Sequence, residues 1–150
     1  MPEALRTTAV DESARHVLVY GTLRRGDVRD INRLAPAPCF VGMGTITGVM
    51  YHLGSYPGVM LGRGGEVLGE VYAIEPALER VLDEIEEVLP EQLGEYRKQQ
   101  VRVTLDERHI KHQVLRQIDC LVYEVNPAYA QGKPRISSGD WIKSLTTPGR

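Results

Sequence analysis

His16-Val17-Leu18-Val19-Tyr20, running into Gly21-Thr22-Leu23-Arg24-Arg25-Gly26, is the stretch on which the fold turns. Its first five residues are a short apolar run of β-forming type that stops at a glycine. The next six make a loop with a glycine at each end. A strand that feeds a tight glycine loop sets successive backbone N–H groups side by side, where they can converge on an anion or on a polarised carbonyl oxygen. This is not a phosphate-binding P-loop, because Gly26 is followed by Asp27-Val28 and not by Lys and Ser or Thr. The spacing of a dinucleotide fingerprint is missing as well.

Downstream of the loop, Val28 to Leu34 reads as weakly helical and Pro36-Ala37-Pro38 as a breaker. From Phe40 to Leu53, the residues Val41, Met43, Thr45, Thr47, Val49 and Tyr51 recur at period two, which predicts a long strand. Gly42, Gly44 and Gly48 fall on the other parity and point to bending or close backbone approach, so a curved or partly closed sheet is expected. Gly54 to Gly58 reads as a turn, Val59-Met60-Leu61 as a short strand, Arg63-Gly64-Gly65 as a second turn and Glu66 to Ile74 as a further strand. Pro76 then opens an amphipathic helix, with Leu78, Val81, Leu82, Ile85 and Leu89 at three- and four-residue spacing and an end near Pro90. Tyr96 to Leu105 and Val114 to Val125 supply two more strands, separated by the charged turn Asp106 to His112. Asn126 to Pro134 is loop-like, and Ser137 to Ile142 is placed to tie down the C-terminal end through Trp141. Upstream, Met1 to Arg15 is polar and unpatterned and reads as a flexible arm. The expected organisation is an arm over 1–15, one domain over 16–145 and a short tail over 146–150.

Composition bounds the function. A chain of 150 residues with 42% apolar side chains can bury one sizeable core but not two. A net charge of -2 offers no excess of positive charge to phosphates, so neither nucleic acid nor an anionic membrane is an expected partner. The first fifteen residues lack the apolar block of a signal peptide, and no apolar run approaches the roughly 20 residues of a membrane span. Cys39 and Cys120 sit in hydrophobic stretches without CxxC spacing and read as free, buried thiols of a cytoplasmic protein.

The acids of the helix that starts at Pro76 can be told apart by angle. At about 100° per residue the apolar stripe centres near Leu78, Ile85 and Leu89; Glu86 then lies roughly 80° from the centre, Glu84 about 120° and Glu87 about 180°. Only Glu86 borders the buried face on this wheel. Partial desolvation there disfavours the charged carboxylate and raises its pKa toward the range of a general base. The competing reading makes Glu79, Asp83, Glu84, Glu86 and Glu87 a solvated acidic face. His109 and His112 have no acidic or cysteine partner in a recognisable metal motif, and Ser55 stands in Gly-Ser-Tyr-Pro-Gly, not in Gly-x-Ser-x-Gly. Tyr51, Tyr56, Tyr96 and Tyr123 are candidates to line a cleft or to be half-buried strand tyrosines.

Val19 to Gly26 resembles the N-terminal signature of the γ-glutamylcyclotransferase and AIG2-like families. Tyr51-His52-Leu53-Gly54-Ser55-Tyr56-Pro57-Gly58 resembles their second motif, and Leu82 to Glu86 followed by Tyr96-Arg97-Lys98 resembles the segment with their catalytic glutamate. The resemblance covers about residues 16 to 125, with Gly139-Asp140-Trp141 similar to a C-terminal feature. It implies an α+β fold, a small mixed β-barrel with flanking helices. The implied reaction is intramolecular aminolysis of a γ-glutamyl amine or γ-glutamyl amino acid, releasing 5-oxoproline and an amine without metal or organic cofactor. Glu86 would be the catalytic residue, and Tyr20, Gly21, Thr22, Leu23, Tyr51, Tyr96 and Tyr123 would bind the substrate. Tyr20-Gly21-Thr22-Leu23 looks closer to the γ-glutamylamine branch. Glu87 stands where the family usually has glycine, and that departure favours the alternative of a non-catalytic binding module.

Overall fold

In the computed structural model, which describes residues 15–86, 95–106 and 116–146, the strands close into a barrel. The elements are β1 (Arg15–Val19), a 3-10 turn (Ile31–Arg33), β2 (Cys39–His52), β3 (Pro57–Ile74), α1 (Pro76–Ile85), β4 (Tyr96–Leu105), β5 (Arg116–Val125), α2 (Pro127–Ala130) and α3 (Trp141–Thr146). Around the barrel the order is β1-β3-β2-β4-β5. All neighbours are antiparallel except β5 and β1, which close the ring in parallel at Val17 and Leu121.

Alternation along the strands sorts the core into two clusters. Leu18, Ile46, Met50, Val67, Val71, Val103, Leu105, Cys120 and Val122 meet in one of them. Every strand contributes to it, so it is the barrel interior. The other joins Val17, Val19, Tyr72, Ile74, Leu121 and Tyr123 to Leu23, Ile31, Leu78 and Leu82, and it lies between the barrel wall, α1 and the 3-10 turn. β1 is apolar at consecutive positions because both of its faces are covered. Leu78 and Leu82 are fully buried and hold α1 to the wall, each contributing about 1.5–3 kcal/mol.

Several expectations change at this level. In β2 the buried parity is that of Ile46 and Met50 together with Gly44 and Gly48, whereas Thr45, Thr47, Val49 and Tyr51 are exposed or half-buried. The two strands and the turn expected between Val59 and Ile74 are one strand, β3, with a bulge. Gly48 pairs with Leu61 and the adjacent Thr47 with Glu66, so residues 62–65 swell out of the ladder. Gly62, Gly64 and Gly65 take φ of 118°, 127° and 150°, which lets them do so. The helix ends at Ile85. β1 begins at Arg15, and Asn126 to Pro134 contains the single turn α2. Cys39, at the outer start of β2, is exposed, and Cys120 is buried. Trp141 is buried as expected, and its Nε1 donates to Asp27 Oδ2 at 2.8 Å, tying the C-terminal helix to the glycine loop. The greater part of the N-terminal arm, Glu87, Pro90, His109, His112 and residues 147–150 lie outside the described residues. No helix among the described residues is long and apolar enough to cross a membrane.

Candidate active site

The loop after β1 is held from both sides. Arg24 N–H donates to Gly21 O at 3.0 Å and closes a turn, while Thr22 O accepts Arg29 N–H at 2.9 Å and Leu23 O accepts Ile31 N–H at 2.8 Å. In a trans peptide the N–H points opposite the carbonyl, so with Thr22 O turned toward Arg29 the Leu23 N–H is directed away from that segment. Gly21 packs under Pro57, where a Cβ would stand 2.8 Å from the proline Cγ. Any side chain at this position would push the loop off the barrel.

Beneath the loop lies a buried charge cluster. Glu70 of β3 accepts Arg24 Nε at 3.0 Å, Arg25 N–H at 2.9 Å and the Tyr72 hydroxyl at 2.8 Å. Asp140 accepts Arg24 Nη1 at 2.9 Å. The side chains of Arg24 and Glu70 are each 8% exposed, so a loop that is polar in sequence is bolted to the barrel by an ion pair out of water.

On the opposite wall, α1 starts at Pro76 and ends at Ile85, with Glu86 as its C-terminal cap. Glu86 N–H donates to Leu82 O at 2.9 Å. The angular reading of this helix needs correction, because Glu86 is not the only acid at the buried face. Asp83 is 5% exposed. It accepts the Tyr123 hydroxyl at 2.6 Å and Lys98 Nζ at 2.9 Å. Glu79 accepts Lys98 Nζ at 2.6 Å and two Arg15 nitrogens at 3.0 Å. The cations that neutralise these carboxylates come from β4 and β1, which no helical wheel contains.

Between loop and helix is a cavity of about 140 Å³. Val19 to Leu23 form one side, Ile85 and Glu86 another, and Tyr96, Tyr123, Tyr56, Pro57, Glu95 and Arg29 complete the walls. Seven of the eight expected site residues therefore meet there: Tyr20, Gly21, Thr22, Leu23, Glu86, Tyr96 and Tyr123. Tyr51 does not join them. It lies on the outward parity of β2, in a separate groove with Met60 and the α2 turn. Among the lining residues, sequence reasoning passed over Arg29, Ile85 and Glu95. Glu95 adjoins the recognised Tyr96, and Arg29 lay within the weakly helical stretch, but neither carried a motif.

The tyrosine hydroxyls are committed to the framework. Tyr20 donates to Tyr123 O at 2.7 Å and accepts Val59 N–H at 3.1 Å. Tyr96 donates to Pro57 O at 2.8 Å, and Tyr56 to Glu95 Oε2 at 2.8 Å. Burial raises the pKa of Tyr20, Tyr96 and Tyr123 first of all, and the negative charge of Glu86 raises each of them further. They remain neutral in the physiological range and supply walls, not titrating groups. Arg29 brings a positive charge to a cavity that otherwise holds Glu86 and Glu95.

The small closed barrel defines a class of fold, and known proteins share it. The family described as gamma-glutamyl cyclotransferase, AIG2-like, matches residues 17–143. The chain belongs to that family. Among solved structures, an AIG2-like protein from Mus musculus superposes with a TM-score of 0.67 at 24% identity, covering 83% of this chain and 86% of the mouse chain. YkqA from Bacillus subtilis gives 0.65 at 25% identity, covering 90% of this chain and 44% of its own. The uncharacterized protein PH0828 from Pyrococcus horikoshii gives 0.59 at 24% identity, covering 87% of this chain and 92% of its own. No curated protein matches the sequence.

Proposed function

We propose that the protein cyclises γ-glutamyl amines or γ-glutamyl amino acids, releasing 5-oxoproline and a free amine. The observation that carries this reading is the convergence of the Glu86 side and the Gly21–Leu23 loop on one cavity. Glu86 takes a proton from the α-ammonium of the substrate. The freed amine attacks the γ-carbonyl carbon, a new C–N bond closes the five-membered ring, and the bond to the leaving nitrogen breaks as Glu86 returns the proton to it, while the second proton shed by the ring nitrogen is taken up by the released amine, which departs as an ammonium. Atoms and charge balance without water, metal or redox partner. The loop amides would stabilise charge on the carbonyl oxygen, an effect of about 3 kcal/mol for a well-placed donor. Nucleophile and electrophile belong to one molecule, so the pocket's main task is to hold the folded conformer. Tyr20, Tyr96 and Tyr123 shape that confinement with their faces, and the Tyr20–Leu23 sequence supports the γ-glutamylamine branch.

The test is to incubate the purified protein with a panel of γ-glutamyl amines and amino acids and quantify 5-oxoproline. Turnover is expected, and Glu86→Gln is expected to lower kcat by about 10²–10⁴ with unchanged thermal stability. Ordinary turnover by the glutamine variant would remove Glu86 from the mechanism.

A further inference from the structure

The proposed cyclisation moves two protons, and a single carboxylate holds one at a time. The α-nitrogen enters as an ammonium and ends as a lactam N–H, while the leaving nitrogen enters as an amide N–H and departs as an ammonium. Glu86 passes the first proton between them. While it holds that proton, the ring nitrogen of the new bond is still cationic and needs another acceptor.

A second carboxylate lines the same cavity. Glu95, the residue before β4, stands in its wall together with Glu86. Its main chain is fixed by Asn126, whose N–H donates to Glu95 O at 2.7 Å. Its side chain is aimed by the turn between β2 and β3, where the Tyr56 hydroxyl donates to Oε2 at 2.8 Å. That turn is itself closed by Leu53 N–H, which donates to Tyr56 O at 2.9 Å. Glu95 Oε1 has no hydrogen-bond donor among the described residues. The other buried or half-buried acids differ in this respect. Both oxygens of Asp83 are taken, by Tyr123 and Lys98, and both oxygens of Glu70 by Arg24, Arg25 and Tyr72. Glu95 is thus oriented through one oxygen and leaves the other for a ligand.

The groups around the two carboxylates are Tyr20 of β1, Tyr56 of the turn, Tyr96 of β4, Tyr123 of β5 and Arg29 of the loop segment. Beyond burial, which is the largest cause, the negative charges of Glu86 and Glu95 both raise Tyr20 and Tyr96, so both acids act on the same rings. Phenols and guanidinium groups keep their protons below neutral pH. Of the charged groups in the cavity wall, Glu86 and Glu95 are therefore the ones that titrate on the acid side.

We propose that Glu95 is a second catalytic base. Its Oε1 takes the remaining proton of the ring nitrogen while Glu86 serves the leaving nitrogen, and then delivers it to the released amine, so that both carboxylates end as they began. This inference rests on the cyclotransferase reading and adds a residue to it.

The test is 5-oxoproline release from γ-glutamyl-isopentylamine or γ-glutamyl-leucine, whichever is turned over faster, followed across pH. Glu95→Gln keeps an acceptor for the Tyr56 hydroxyl and removes the base. It is expected to lower kcat by about 10²-fold with KM near the wild-type value. The acid limb of its kcat profile is expected to lose one of the two ionisations that the wild type shows. Tyr56→Phe breaks the same hydrogen bond and leaves the carboxylate, so a smaller loss with both ionisations retained is expected. Wild-type kcat in Glu95→Gln, or a loss confined to KM, overturns the assignment. Equal losses in the two variants with unchanged acid limbs mark a structural tie and overturn it as well. All three results leave Glu86 and the cyclotransferase reading in place, whereas failure of both probes and of the wider panel to yield 5-oxoproline overturns that reading and this inference together.

Discussion

Replacing Glu70 by glutamine tests whether the glycine loop is aimed by charge. Glu70 accepts three hydrogen bonds, from Arg24 Nε, Arg25 N–H and the Tyr72 hydroxyl. Glutamine keeps one acceptor oxygen but turns an NH₂ group toward a donor, and it leaves the Arg24 guanidinium with Asp140 as its remaining carboxylate. Removing one partner of a buried pair costs about 3–5 kcal/mol. Asp140 offsets part of that, so a loss of about 3 kcal/mol is expected, or about 6–12 °C in Tm for a chain of this size. Arg24→Met alone should cost a similar amount, because it strands the carboxylate. The double variant should lose far less than the sum, since both charges leave together, and the coupling from a urea-denaturation cycle should exceed about 1.5 kcal/mol. Under conditions where the single variants are folded, 5-oxoproline formation should fall at least about tenfold, because the loop amides shift relative to the bound carbonyl. A coupling below about 0.5 kcal/mol would refute the view that this pair orients the loop.

Other expectations follow from the same geometry. Tyr20→Phe leaves the Tyr123 carbonyl and the Val59 N–H without their buried partner and should cost about 2–4 kcal/mol in urea denaturation; a loss under about 0.5 kcal/mol would show that these groups are satisfied otherwise. Burial raises the proton affinity of Glu79, but the hydrogen bonds and charges of Arg15 and Lys98 outweigh it and hold the carboxyl below its ordinary range. A folded-state value below the unfolded one stabilises fully above the unfolded pKa and is lost as pH falls through the folded one. Denaturation midpoints should therefore fall as pH drops from about 5 to 3, less steeply in Glu79→Gln; identical slopes would contradict the assignment. Of the two thiols, Cys39 should react with a thiol reagent in the native state, whereas Cys120, buried and with its pKa pushed up to about 12, should react only on unfolding.

What could be read from the chain was what is local. The apolar run into Gly21 needed no tertiary context, because a strand that stops at a glycine is a property of neighbouring residues. Gly42, Gly44 and Gly48 on one parity likewise announced a curved sheet. Closure of the barrel was another matter. The parallel pairing of Val17 with Leu121 joins positions more than a hundred residues apart and leaves no period in the sequence. Tyr51 was misplaced for a related reason: a tyrosine inside a familiar motif still points wherever strand parity sends it, and the parity of β2 is set by Ile46 and Met50 facing the interior. Asp83 was hidden because its burial depends on Lys98 and Tyr123, which arrive from strands that follow the helix.

These limits share one cause, and it bears on function. The Gly21–Leu23 loop and Glu86 each have a local signature, but neither is a site alone. Their relative position is set by residues without one: the Arg24–Glu70 pair under the loop, and the Lys98–Asp83–Tyr123 chain of contacts under the helix. Both supports use buried or half-buried charge, where losing one partner costs far more than the pair contributes. A charge-neutral replacement of a whole support, such as Arg24→Met with Glu70→Gln, should therefore separate stability from aim. It should leave a folded barrel whose loop has lost its fixed position, with stability recovered and turnover not.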